Sequence, residues 1–325
     1  LIDIVDINRM DQQSYKHIPV LLEEVLQFLD PKPGENFVDG TLGGGGYSRA
    51  ILEKNQPGGK VLAIDLDDEA IKNFQYPISN IQDKLFIAVQ GNFANLDKII
   101  VNHKFFNISG IVADIGLSSF QLDDSGRGIS FQKKEPLDMR FDQTSQEPDA
   151  KFILNNHSLQ ELTEIFRKYG EDKYSAKIAK EIVQERSKKP IHYTSELFEI
   201  IEQALPKPVK HKANDSARRI FQALRIAVNH ELSNLESFLP KALDLLNPGG
   251  RLVVVSFHSL EDRIVKQFFQ ASAKGCICPL DFPQCICGKN AVAKILTKKP
   301  VTASTDELEE NSRSKPAKLR ALIKL

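Results

Sequence analysis

The chain has 325 residues, with 43 lysines and arginines against 43 aspartates and glutamates, so its formal net charge is zero. That length accommodates two domains or one domain with a large insertion, and the apolar and charged fractions of 41% and 26% exclude a disordered or fibrous chain. Zero net charge excludes a global field drawing in nucleic acid, so such binding must rest on local patches. No run approaches the roughly 20 apolar residues of a membrane span, and Asp3 and Asp6 stand where a secretory signal would be basic, so a cytoplasmic protein with no membrane partner is expected.

The first candidate strand, residues 37–39, ends in Asp39 and runs into Gly40-Thr41-Leu42-Gly43-Gly44-Gly45-Gly46, followed by a helical pattern from Arg49 to Leu52. Open α/β sheets bind ligands at the carboxyl end of such a strand, and glycines let the backbone approach a ligand closely. A turn that merely joined strand to helix would have no use for consecutive glycines, which weaken a helix start. A dinucleotide fingerprint needs a third small residue where this chain has Ser48 or Arg49. That weakens a nicotinamide reading and favours the looser acid-then-glycine pattern of S-adenosylmethionine (SAM) sites. The next strand, residues 61–65, ends in Asp65, where a carboxylate can accept hydrogen bonds from both hydroxyls of a ribose.

Strands at residues 85–89 and 111–114 continue the alternation with helices, which predicts a parallel sheet with right-handed crossovers. About 135 residues then precede the fifth strand at 252–257, far more than a helical crossover needs. The gap opens with a loop-like stretch, 121–148, and continues with helices at 159–166, capped by Ser158, at 173–185, and at 196–204, capped by Ser195 and ended by Pro206 and Pro208. A long helix over 216–246, broken near Pro240, stops at Asn247-Pro248-Gly249-Gly250 and returns the chain to the sheet. A helix at 260–269 follows the fifth strand, and strands at 293–297 and 319–325 form an antiparallel edge hairpin. The acidic run 307–310 reads as a solvated loop. The expected fold is α/β: a Rossmann-like, mostly parallel seven-stranded sheet in two segments, 1–130 and 216–325, with an inserted helical substrate-binding domain at 131–215.

All four cysteines fall in Cys276-Ile277-Cys278 and Cys285-Ile286-Cys287. In a cytosolic protein such clustering reads as metal binding before disulfides, and four thiolates can surround one zinc. The spacing is tighter than the usual C-x2-C, a loop of reduced cysteines is the alternative, and no metal ligand is assigned from sequence.

Several motifs agree in order: His17-Ile18-Pro19-Val20-Leu21-Leu22-Glu23-Glu24, the stretch from Asp39 to Ser48, Asp114-Ile115-Gly116-Leu117-Ser118-Ser119-Phe120-Gln121, Pro136-Leu137-Asp138-Met139-Arg140, Phe221-Gln222-Ala223-Leu224-Arg225-Ile226 and Ser256-Phe257-His258-Ser259-Leu260-Glu261-Asp262-Arg263. Together they closely resemble the RsmH (MraW) family from about His17 onward. The resemblance implies a SAM-dependent rRNA methyltransferase acting on the exocyclic N4 of a cytosine in 16S ribosomal RNA, with the small ribosomal subunit as partner. It implies a cofactor site at Gly45, Gly46, Tyr47, Asp65, Phe93, Asp114 and Gln121. The family usually has His where this chain has Tyr47. The residues alone leave open a methyltransferase of another substrate, protein or small molecule, on the same core, and either a monomer or a homodimer.

Methyl transfer from a sulfonium is an in-line displacement governed by alignment, and a delocalised cytosine amine needs an acceptor to orient it and take its proton. Asp114, at the tip of the fourth strand, is the candidate catalytic acceptor, with cofactor binding as its other role. His258, on the same rim, could contact the base or its phosphate or accept a proton near neutral pH; a hydrogen-bonded structural histidine is the alternative. Carbon-5 methylation would need a cysteine nucleophile, and the cysteines lie far along the chain. Lys207, Lys210, Lys212, Arg218 and Arg219 are the candidate RNA contacts. Alone they read as a solvated face; beside a methyltransferase core they suit an insert that grips RNA and presents a splayed base.

Overall fold

The computed structural model describes residues 19–74, 85–117, 125–276, 278 and 286–325. Its strands are β1 (Asn36–Asp39), β2 (Lys60–Asp65), β3 (Phe86–Gln90), β4 (Ile108–Asp114), β5 (Leu246–Ser256), β6 (Ala293–Ile295) and β7 (Lys318–Lys324), and they form one seven-stranded sheet in the order β3-β2-β1-β4-β5-β7-β6. The first five pair in parallel. β7 lies antiparallel between β5 and β6.

Parallel sheets are covered on both faces, so their central strands are apolar throughout. Alternate side chains divide between the faces. Phe37, Val61, Val112, Val253 and Val255 pack with α1 (Leu22–Leu29) and α2 (Gly46–Lys54). Val38, Leu62, Ile111, Leu252 and Val254 pack with α4 (Leu96–Asn102), α10 (Glu231–Leu245) and α11 (Ser259–Ala273). The short α3 (Asp68–Asn73) follows β2.

The inserted unit has a separate core. It is built by α5 (Ala150–Asn156), α6 (Leu159–Gly170), α7 (Ser175–Arg186), α8 (Thr194–Ala204) and α9 (Ala213–Asn229). Leu162, Phe166, Ile178, Ile182, Leu197 and Ile201 meet Ile220, Phe221 and Leu224 of α9. The helical cluster therefore reaches Val228, and a boundary at 215 cuts α9 from the cluster it packs into.

Three local expectations change. The long helix breaks at His230, a left-handed residue (φ 53°) between α9 and α10, and Pro240 stays inside α10. The break is fixed by buried Asn229, whose side chain donates to the carbonyls of Met139 (2.8 Å) and Arg225 (2.9 Å) and accepts the Phe141 N–H (2.8 Å). Ser195 does not cap α8, which starts one residue earlier. Thr194 Oγ1 is engaged by the Lys133 carbonyl and the Glu135 N–H, while Glu196 accepts the N–H groups of His192 and Tyr193. The acidic run is helical, α12 (Thr305–Glu310), and Glu307 Oε1 accepts the Leu21 N–H (2.7 Å) and the Ser314 hydroxyl (2.6 Å). Ser158 caps α6 as expected, in a reciprocal box with Glu161.

Candidate active site

The tips of β1, β2 and β4 put Asp39, Asp65 and Asp114 on one rim, and a cavity of about 320 Å³ opens above them. Its floor is the glycine loop. Gly40 N–H donates to Val112 O and Leu42 N–H to Ile64 O, each at 2.8 Å, so the loop is stitched across the strand tips. Gly43 N–H donates to Asp65 Oδ2 (2.7 Å) and Asp67 N–H to Asp65 Oδ1 (2.9 Å). A carboxylate offers about four lone-pair sites, so Asp65 retains acceptor capacity toward the cavity. Gly46 is required sterically: a Cβ there would stand 2.0 Å from Pro19 Cγ.

Asp39 is fully buried beneath the loop, accepting from Ser48 Oγ (2.7 Å) and the Thr41 N–H (3.2 Å). Burial raises its carboxyl to about 7, and the neighbouring Asp65 and Asp114 push the same way. Asp114 lines the cavity and is held at both ends. Its own N–H donates to Thr41 Oγ1 (2.7 Å) and its Oδ1 accepts the Gly116 N–H (3.2 Å). Burial also raises Asp114 to about 7, with a further upward push from Glu261. The Tyr47 hydroxyl donates to the Val20 carbonyl and stands 3.3 Å from Asp114 Oδ2. Tyr47 has a single hydroxyl proton, so with that proton on Val20 its oxygen can accept from a protonated Asp114.

The opposite wall comes from the insert junction. Asn229, Glu231, Asn234 and Glu261 face the cavity. Arg225 grips Glu231 bidentately (2.8 and 2.9 Å). Glu261 Oε2 accepts the N–H groups of Phe257 (2.8 Å) and His258 (3.1 Å). Arg127, 2% exposed, holds Asp67 through both terminal nitrogens (2.7 and 3.1 Å) and donates to Phe141 O (3.0 Å), tying together two residues that line the cavity.

Of the residues expected from sequence, Gly46, Tyr47, Asp65, Phe93 and Asp114 line this cavity. Gly45 does not. It adopts φ 74°, and the place of its missing side chain is taken by the Phe74 ring, 2.0 Å from where a Cβ would lie. Gln121 lies outside the described residues. His258 stands behind Glu261, not on the cavity wall. It caps α11, Nδ1 accepting the Glu261 N–H (3.3 Å), with Nε2 2.9 Å from Glu261 Oε1. Lys207, Lys210, Lys212, Arg218 and Arg219 are exposed around the start of α9. Seventeen helical residues, about 25 Å, separate that end from Asn229 at the cavity. Arg218 and Arg219 pair with Asp215 (3.3 Å) and Asp172 (3.5 Å).

Sequence reasoning missed Arg127, Glu231, Asn234 and Glu261. Only Glu261 had a local signal, the acid three residues after a cap position.

The family described as MraW methylase matches residues 14–325. This chain belongs to that family. It is similar to "Ribosomal RNA small subunit methyltransferase H" of Heliobacterium mobile, 46% identical over 96% of this chain and 100% of the relative. It is equally similar to proteins of that name from Thermomicrobium roseum, at 47% over 96% and 94%, and from Dehalococcoides mccartyi, at 48% over 94% and 86%. The cavity fits a nucleoside-bearing cofactor: Asp65 has acceptors to spare, Phe93 offers a ring anchored edge-on by Phe238 at 5.0 Å, and Gly43, Gly44 and Gly46 line the same space.

Proposed function

We propose that this chain transfers a methyl group from SAM to the exocyclic N4 of a cytosine in 16S rRNA of the small ribosomal subunit. The observation that carries the reading is Asp114, a carboxyl tuned to about 7 in the wall between the glycine loop and the insert junction. Family membership and the names of the relatives support the RNA substrate. The acidic lining, Asp65, Asp114, Glu231 and Glu261, suits a cationic ligand and a neutral base, and disfavours a phosphate inside the cavity.

Gly46, Tyr47, Asp65, Phe93 and Asp114 would hold the cofactor. When bound, it supplies an electrophilic methyl and leaves as a neutral thioether. Asp114, its carboxyl fixed by the Gly116 N–H, accepts a hydrogen bond from the incoming amine and so turns the nitrogen lone pair toward the methyl. Asp114, raised to about 7, would take the proton that the amine gives up on methylation. Asn234, whose Nδ2 donates to Asn229 O (3.0 Å), has a second N–H and its Oδ1 to present at the junction where the base would enter.

The test is methyl transfer from labelled SAM to small subunits lacking the modification, followed by nucleoside analysis. Labelled N4-methylcytidine is expected. SAM binding with no label in RNA would sink the substrate assignment, and protein or small-molecule acceptors would then be tried.

A further inference from the structure

The sequence pattern did not decide whether the cysteines hold a metal; their arrangement does more. Cys276, Cys278 and Cys287 bring their sulfurs within 4.8 Å of one another. Cys276 and Cys287 Sγ are 3.7 Å apart. A disulfide requires about 2.05 Å, whereas sulfurs held at about 2.3 Å around a tetrahedral zinc stand about 3.8 Å apart. We propose that these three cysteines bind a structural zinc ion at the end of the sheet away from the cavity.

Three further observations point the same way. The Cys278 N–H is aimed at Cys276 Sγ and the Ile286 N–H at Cys278 Sγ, both at 3.4 Å. Backbone donors of this kind stabilise negative sulfur and orient it, as outer partners do around metal-bound thiolates. Gly288, directly after Cys287, has φ 60°, the left-handed turn that gathers backbone N–H groups around an anionic centre.

The third observation concerns what else could hold the sulfurs together. The segment leaves α11 and returns to β6, closed at its base by Val292 N–H to Ser272 O (3.0 Å) and Lys289 Nζ to Ala271 O (3.2 Å). None of its described residues from 274 to 292 is buried, and Ile286 and Val292 are 75% and 51% exposed. No apolar packing among these described residues draws three sulfurs to one point. A cation bound by all three would close the loop. Soft thiolates select zinc over magnesium or calcium. Cys285 lies outside the described residues, and the three placed sulfurs fill three of four tetrahedral positions.

α11 begins beside the cavity wall at Ser259 and runs about 22 Å to Ala273, next to the cysteines. The ion is therefore remote from Asp114 and has a structural part to play. The test is metal analysis of the full chain, purified with reductant and without chelator from zinc-supplemented cells. About one zinc per chain is expected, falling below about a tenth of an equivalent in Cys276→Ser and in Cys287→Ser, with SAM affinity unchanged. Replacement of the metal by cobalt in the unaltered chain gives the intense charge-transfer absorption of a sulfur-rich tetrahedral site, a readout independent of how the serine variants fold. Less than about a tenth of an equivalent of zinc in the unaltered chain, full zinc retention in both serine variants, or two thiols protected from labelling until reductant is added would each overturn the proposal, the last in favour of a disulfide.

Discussion

Asp114 and Asp39 carry the most consequential electrostatics, and they pull activity and stability in opposite directions. As a proton acceptor, Asp114 must be ionised, so turnover rises with pH through about 7 and is lost below it. Asp114→Asn keeps the shape and the contact with the Gly116 N–H in reach but removes the base. Turnover at saturating SAM should fall by about 10²–10⁴-fold, beyond any loss of SAM affinity measured by calorimetry, since Asp114 also lines the cofactor cavity. Near wild-type turnover would remove Asp114 from the mechanism. For Asp39 the folded value is raised from 3.8 to about 7. Its contribution to stability is fully present below about pH 4 and is lost as pH rises through about 7, with a slope of at most about 1.4 kcal/mol per pH unit. Asp39→Asn should remove that slope. Urea unfolding at pH 5 and pH 8 tests this: the variant gains on the wild type between the two, and parallel pH dependences would contradict the assignment.

Secondary elements reveal where local rules sufficed. Asp39, Asp65 and Asp114 were legible because strand-ending acids follow short apolar runs, and Ser158 because a serine with Glu161 three residues on is a local code. The helix break was not legible. Pro240 is the residue that sequence rules distrust, yet the turn sits at His230, whose left-handed backbone is imposed by contacts of Asn229 with residues 90 and 88 positions away. Such long-range control is invisible to a window of neighbouring residues. Left-handed backbone costs an L-residue about 1–2 kcal/mol, most for β-branched side chains. His230→Val should destabilise by about 1–2 kcal/mol and His230→Gly should not, both measured by denaturant unfolding. Equal loss in both would mean that the imidazole, not the backbone, matters. The cavity wall of Glu231 and Asn234, and Arg127 behind Asp67, were hidden for the same reason, since they converge only after the insert folds back on the sheet.

At the scale of the whole molecule, the insert places exposed Lys207, Lys210 and Lys212 at the start of α9, about 25 Å along that helix from Asn229 at the cavity. That distance suits a strand of RNA whose phosphates rest on the far end of α9 while one base reaches the junction at Asn229. The composition hinted at this only weakly, because a neutral chain conceals a local patch. Replacement of Lys207, Lys210 and Lys212 by alanine should reduce the dependence of log affinity on log salt by about one unit per lysine. SAM binding should stay as it was, and an unchanged slope would place the RNA elsewhere. Glu307 acts across the full chain as well. Glu307→Ala strands the Leu21 N–H, at a cost of about 1–3 kcal/mol, and frees the Pro19–Val20 segment that covers Gly46 and Tyr47. Thermal melting and SAM affinity should therefore fall together.

The hydrogen bond from Leu21 to Glu307, between residues 286 positions apart, also orders events during synthesis. A nascent chain carries the glycine loop long before the carboxylate that fastens the loop's cover is made. The strand that fills the gap between β5 and β6 comes later still. Any fragment that stops short of Glu307 therefore lacks the fastening of its own glycine loop.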